Sequence, residues 1–375
     1  MAKGETLFEM IHSALLEEIR NGKFSDGTRL PTEMEITQKY FVSRVTAKRA
    51  LNTLAEEGLI TRVPGRGSFV KGIDPAGTIK AAVLKRCSVM FILNSFSGAF
   101  GTEMIQGAIE QGEEEGLDII IKKDFNSVES ENRMLKEAKS SGAAGVILQP
   151  ANGEMYSKTL IELAYAGFPV VMVDRYLSGL DVPFVGIDNE AVAKDAVTKM
   201  LDLGHRDIMI LISLNNNSYT QRLRLSGYLN AHMAKGVPVR QDLVLVDLDK
   251  ERIMSGLSGS DEGTFVTLVD SITEKLAAHP EVTAVLSTEY RLSQALIAAC
   301  SRLGRQNEIS IVGFDAVSDL LGSRLTHIRQ PQKEIGAKAV SIMRQLILGE
   351  KTEKREWLMK TQWVDGATLF PPRTK

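Results

Sequence analysis

Cysteine is nearly absent from these 375 residues: there are two, Cys87 and Cys300, far apart and outside any Cys-x-x-Cys or neighbouring His pair. That excludes a disulfide framework and the common zinc patterns, and it fits a reducing compartment. Long apolar runs are missing too. None approaches the roughly 18 residues that a membrane span needs, and the first ten residues lack an apolar leader. The expected location is cytoplasmic, with no membrane partner. Net charge is close to absent, at -2, so the chain does not coat a polyanion along its length. Catalytic signatures are lacking as well: there is no Gly-x-Ser-x-Gly elbow, no Walker A loop and no His-Glu-x-x-His. The five histidines (His12, His205, His232, His279, His327) show no metal-ligand spacing. No enzyme activity, metal or cofactor is expected.

What is present is a chain of 43% hydrophobic composition, long enough for two or three domains, with its positive charge concentrated in one place. Residues 39–71 hold seven basic side chains (Lys39, Arg44, Lys48, Arg49, Arg62, Arg66, Lys71) and two acidic ones (Glu56, Glu57), a net of +5. Periodicity around this stretch predicts three helices and a hairpin. Leu7, Ile11, Leu15 and Ile19 form one apolar face. Thr32 and Glu35 make a capping-box pattern that opens a second helix, with Ile36 and Tyr40 inward. Ser43 can cap a third, whose Ala47, Ala50, Leu51 and Leu54 pack inward while Arg44, Val45, Lys48, Arg49 and Asn52 point out. Residues 59–63 and 68–70 then alternate around Pro64-Gly65-Arg66-Gly67, a hairpin whose glycines permit close approach to a phosphate. Cations near the start of an exposed helix suit a DNA major groove.

These residues resemble the GntR-type winged helix-turn-helix. The resemblance is carried by Leu30-Pro31-Thr32-Glu33, by Val42-Ser43-Arg44-x-Thr46 with Ala50-Leu51, by Glu57-Gly58-Leu59-Ile60, and by Gly65-Arg66-Gly67-x-Phe69-Val70. It implies a double-stranded DNA operator as partner, with Thr32, Ser43, Arg44, Thr46, Lys48, Arg49, Gly65, Arg66 and Gly67 on the DNA side. Lys48 stands where the family usually has Arg, which replaces a bidentate fork by a point charge.

Residues 1–72 are thus expected to form the DNA-binding domain and residues 73–86, with Pro75 and little periodicity, a linker. Residues 87–375 form the remainder. There, apolar runs at 89–93, 119–121, 145–148, 170–173, 208–212, 244–248, 284–286 and 309–314 alternate with helical segments, the pattern of parallel sheets covered on both faces. So long a stretch exceeds one comfortable core, and two lobes with a ligand cleft at the strands' carboxyl ends are expected. The fold class is α/β: an N-terminal winged helix-turn-helix plus a two-lobed domain with parallel sheets.

Within this part stand the segments Pro169 through Arg175, Val185 through Asn189, Leu203-Gly204-His205-Arg206, Arg222 through Tyr228, Ile309 through Asp315, and Thr326 through Pro331. Together they resemble the effector domain of LacI/GalR regulators, itself similar to the periplasmic sugar-binding proteins. The resemblance implies ligand contacts from Arg224 and Asp315, a guanidinium that donates and a carboxylate that accepts, a pairing suited to neighbouring hydroxyls. Asn94, Phe96, Phe100, Gln149, Arg175, Glu289 and Tyr290 are further candidates for the cleft wall. The function implied is a repressor, acting as a homodimer on a palindromic operator and switched by a small carbohydrate such as a pentose. A regulator of a non-sugar metabolite or partner protein is the alternative, ahead of an enzyme or a solute-binding protein.

Overall fold

A computed structural model describes residues 7–20, 23–24, 27–56, 59–63, 66–71, 87–151, 157–212, 218–245, 262–317 and 324–373. The chain divides into two compact units, Met1–Cys87 and Ser88–Lys375. The expected linker, residues 73–86, lies wholly outside the described residues.

The first unit packs three helices, α1 (Leu7–Arg20), α2 (Glu33–Tyr40) and α3 (Arg44–Glu56), with a hairpin of β1 (Ile60–Val63) and β2 (Gly67–Val70). Its core is the set of positions the periodicity picks out: Ile11, Leu15, Ile36, Ala47, Ala50, Leu51 and Leu54 are all within 1% of full burial. Tyr40 is only half-buried, and the Lys39 ammonium lies 5.0 Å from its ring. The capping box is formed. Thr32 N–H donates to Glu35 Oε2 (2.7 Å) and Glu35 N–H to Thr32 Oγ1 (3.2 Å), which satisfies two otherwise unpaired donors at the start of α2. Ser43 caps α3 in the same way, accepting from Thr46 N–H at 3.1 Å.

The second unit contains two six-stranded sheets. The first lobe holds β3 (Cys87–Leu93), β4 (Leu117–Lys123), β5 (Gly145–Leu148), β6 (Val170–Val173), β7 (Phe184–Gly186) and β13 (Glu356–Leu358). Helices α4 (Thr102–Glu115), α5 (Val128–Ser140) and α6 (Lys158–Tyr165) connect its strands. The second holds β8 (Ile208–Leu211), β9 (Val244–Leu245), β10 (Ala284–Ser287), β11 (Ser310–Phe314), β12 (Thr326–Arg329) and β14 (Gln362–Val364). Its helices are α7 (Asn189–Asp202), α8 (Tyr219–Lys235), α9 (Glu262–Ala278) and α10 (Tyr290–Arg302). A last helix, α11 (Gln332–Ile347), returns to pack on the first lobe. The chain therefore passes between lobes three times, after β7, after β12 and between β13 and β14. Strands β3, β5, β6, β7 and β13 pair in parallel, as do β9, β8, β10, β11 and β12, while β14 runs antiparallel to β12 at a sheet edge. Central strands β5, β6, β8 and β10 are buried at every residue, so they read as unbroken apolar runs.

One close approach sets the position of α8. A Cβ on Gly227 would sit 2.3 Å from the Glu190 carbonyl oxygen of α7, so only glycine lets these helices touch. That contact places Arg224, one turn earlier on α8, against the carboxyl ends of the strands.

Candidate functional site

In the first unit, the outer face of α3 carries Arg44, Val45, Lys48, Arg49 and Asn52, every one exposed. No acidic residue occupies the first turn of α3, where the helix dipole favours anions, and Arg44 stands there instead. Phosphate oxygens would relieve that arrangement. Not all seven cations of the basic stretch are available to do so. Lys39 pairs with Glu18 at 2.8 Å and Arg62 with Glu33 at 2.5 Å, Arg62 also donating to Asn52. Arg62 ties the hairpin to α2 and α3, so its role is internal. Thr32, Ser43 and Thr46 have hydroxyls engaged in helix capping. Arg66 is exposed at the hairpin turn, Gly67 has φ +118 with Arg29 Nε 2.7 Å from where a Cβ would stand, and Gly65 lies outside the described residues. Arg29 was not picked out from sequence, because only the hairpin's fold brings it to Gly67.

In the second unit, polar side chains gather where the strands of both lobes end. On the first lobe Asn94 follows β3, Asp124 follows β4, Gln149 follows β5, and Asp174 and Arg175 follow β6. Asn94 Nδ2 donates to both Asp124 oxygens (3.1 Å each) and to the Gln149 carbonyl (3.0 Å). Gln149 Nε2 donates to Asp174 Oδ2 at 2.7 Å. Arg175 donates through Nη1 to Asn126 Oδ1 (2.9 Å) and the Pro150 carbonyl (3.1 Å). Glu131, on α5, accepts from Ala151 N–H at 2.7 Å, and burial pushes its pKa up to about 7.

On the second lobe Arg224 donates through Nε to Asn189 Oδ1 (2.8 Å) and through Nη1 to the Thr288 carbonyl (2.5 Å), and its guanidinium lies 3.8 Å from the Phe314 ring centre. Asp315 accepts from Gln330 N–H (3.1 Å), Gln330 Nε2 (2.6 Å) and Gln332 Nε2 (3.3 Å); burial pushes its pKa up to about 6. Gln332 also accepts from Gly101 N–H at 2.7 Å and so bridges the lobes. Glu289 accepts from Gln221 Nε2 at 2.8 Å, and Tyr290 is buried at the start of α10. Asp174 and Asp315, at matching strand ends of the two lobes, both hold left-handed backbone (φ 61 and φ 54), which Asp tolerates better than most side chains. Burial draws Arg175 and Arg224 below the usual guanidinium value, while carboxylates of both lobes, Asp174 and Glu289 among them, oppose it.

Three buried polar atoms in this cluster have no hydrogen-bond partner among the described residues: Asn94 Oδ1, Arg175 Nε and Gln221 Oε1. Each amide's orientation is fixed by what its NH2 group donates to, so the orphaned atom is an oxygen in both. Arg175 Nε has the Asp174 carboxylate 3.8 Å away, beyond hydrogen-bond reach. Two acceptors and one donor, buried without a hydrogen bond, call for a partner that both donates and accepts. Of the aromatic candidates, Phe96 is partly exposed with Lys123 Nζ 5.7 Å from its ring, and Phe100 is half-buried with its carbonyl accepting from Ser97. Gln221, Asn189, Gln330 and Gln332 are absent from the sequence-based set, as are Tyr176 and Tyr219, whose rings meet across the lobes at 6.0 Å. Elsewhere Asp242, His279 and Glu281 come together, but Arg240 lies among them, 2.5 Å from Asp242 and 2.6 Å from Glu281, and fills the role a cation would. The Cys300 thiol is buried and pushed up to about 12, unsuited to chemistry. No described helix is long and apolar enough to cross a membrane.

Comparisons with known proteins match this architecture. Residues 89–351 match the family model of the periplasmic binding protein domain, and residues 7–70 that of bacterial regulatory proteins of the gntR family. An arabinose metabolism transcriptional repressor of Geobacillus stearothermophilus is 26% identical, over 91% of either chain. Among solved structures, a transcriptional regulator CelR–cellobiose complex superimposes with TM-score 0.63 at 21% identity, covering 97% of this chain and 100% of that one. A putative ribose operon repressor from Burkholderia thailandensis gives TM-score 0.63 at 22% identity over 75% of this chain and 99% of its own.

Proposed function

Because the chain belongs to the periplasmic binding protein family and carries a gntR-type regulatory module ahead of that domain, we propose that it is a transcriptional repressor whose operator affinity is switched by a small carbohydrate held between the two lobes. The observation that carries the ligand class is the set of orphaned atoms, Asn94 Oδ1, Arg175 Nε and Gln221 Oε1. A sugar hydroxyl can donate to one and accept from another, and neighbouring hydroxyls can serve all three. Charge narrows the choice. Even with Glu131 set aside as largely neutral, four carboxylates (Asp124, Asp174, Glu289, Asp315) face two guanidiniums (Arg175, Arg224), so a neutral sugar such as a pentose enters more readily than a sugar phosphate. Arg224 is held through Nε and Nη1, and Asp315 through both carboxylate oxygens, so each side chain is fixed in the cleft wall and positioned to meet a hydroxyl. The module would act as a homodimer on a two-fold operator, with Arg44, Lys48, Arg49 and Arg66 on the duplex.

The test is a thermal-shift panel of neutral pentoses, hexoses and disaccharides alongside sugar phosphates. A true effector at 100 times its dissociation constant stabilises by about 2.7 kcal/mol. The shift should be lost in Gln221→Leu, and a panel without any shift would sink the carbohydrate reading.

A further inference from the structure

Val45 is the second residue of α3 and is 77% exposed. Residues three and four apart on a helix share a face, so Val45 lies beside Lys48 and Arg49 one turn on, with Arg44 preceding it, and all are exposed. The inward stripe of the helix, Ala47, Ala50, Leu51 and Leu54, is complete without it. A β-branched residue on a solvated helix surface gives up side-chain freedom and recovers nothing by burial in the free protein. The other outward positions of this face, Arg44, Lys48, Arg49 and Asn52, are all polar. Val45 is thus a single apolar group set among cations.

Those cations decide what covers it. A face of Arg44, Lys48 and Arg49 recruits a polyanion, and the first residues of such a helix are the ones that meet base edges when it enters a major groove. Valine has no donor or acceptor, so it cannot read the hydrogen-bonding pattern of a base pair. The one apolar group presented in the major groove is the thymine C5-methyl. We propose that Val45 is a specificity-determining residue that packs on the methyl group of a thymine in the operator. This rests on the DNA-binding reading given above. Val45 selects thymine over cytosine by contact, while Arg44 and Lys48 supply hydrogen bonds and charge.

The full-length chain and its Val45→Ala and Val45→Thr variants are used to select duplexes from a random-sequence pool. Each thymine of the recovered site is then replaced singly by deoxyuridine, which removes only the methyl. Burying one methyl corresponds to about a fourfold change in binding. We expect one thymine position at which deoxyuridine weakens the unsubstituted chain about fourfold and Val45→Ala hardly at all, with Val45→Thr, which keeps one methyl, retaining the preference. Unchanged melting of the variants, expected for so exposed a residue, separates specificity from folding. If Val45→Ala recovers the same site with the same deoxyuridine sensitivities, or if no thymine of the site responds, the proposal is overturned. If the unsubstituted chain selects no site at all, it is the DNA-binding reading that fails.

Discussion

Buried residues in the cleft carry the sharpest consequences of pH. Burial raises the Glu131 pKa from 4.5 to about 7, so the carboxyl stays protonated in the fold at mildly acidic pH. A carboxyl raised in this way contributes stability that is full below pH 4.5, declines as pH rises toward 7, and is gone above it. The whole effect is about 3 kcal/mol at most. Glu131→Gln stays neutral and can still accept from Ala151. It should therefore unfold at clearly higher denaturant than the unsubstituted chain near pH 8, and at nearly the same concentration near pH 4.5. Both tryptophans, Trp357 and Trp363, lie in the second unit, so their fluorescence follows the right transition. Coincident midpoints at both pH values would mean that burial does not raise the Glu131 pKa in the fold. On the DNA side, Arg44→Ala should weaken operator binding strongly at every salt concentration. Arg66→Ala, losing a phosphate contact, should lower the slope of log affinity against log salt by about 0.9. Sequence exposed the charged and motif-borne residues well and the amides poorly. Gln221, Gln330 and Gln332 have no periodic signature, and their partners become neighbours only through the fold. Lys39 and Arg62 misled in the opposite sense, since the acids that neutralise them are 21 and 29 residues away in sequence.

Elements were legible where burial was continuous. The runs at β3, β5, β6, β8, β10 and β11 are apolar because helices cover both faces, and composition alone revealed them. The three-residue strands β7, β13 and β14 are too short to show any period, and β12 has the sequence THIR, with polar side chains at three of four positions. Helix α8 hides its role for a related reason: it buries Thr220, Gln221 and Arg224 alongside Tyr228 and Ala231, which blurs its apolar stripe. Its Gly227 is explained by the 2.3 Å approach to Glu190. Gly227→Ala must push α8 from α7 and carry Arg224 and Gln221 with it. A loss of about 2–4 kcal/mol in stability is expected from such overpacking against backbone, with effector affinity falling further than stability alone would account for. Equilibrium unfolding paired with ligand titration would check this, and a fully stable variant would contradict the close packing.

For the whole molecule, the two-unit division and the two-lobed fold follow from patterns spread over hundreds of residues, and such patterns survive local ambiguity. The cleft chemistry depends on groups brought together from both lobes by three chain crossings, which no local window contains. Function lies in the linkage between the two units. If a carbohydrate in the cleft alters operator affinity by some factor, operator must alter carbohydrate affinity by the same factor. The most direct test titrates the full-length chain with its selected operator, with and without a saturating neutral sugar identified by thermal shift. Operator affinity is predicted to fall about five- to 150-fold, with the reciprocal loss in sugar affinity when DNA is bound. An operator affinity unmoved by a sugar that demonstrably binds the cleft would contradict the account.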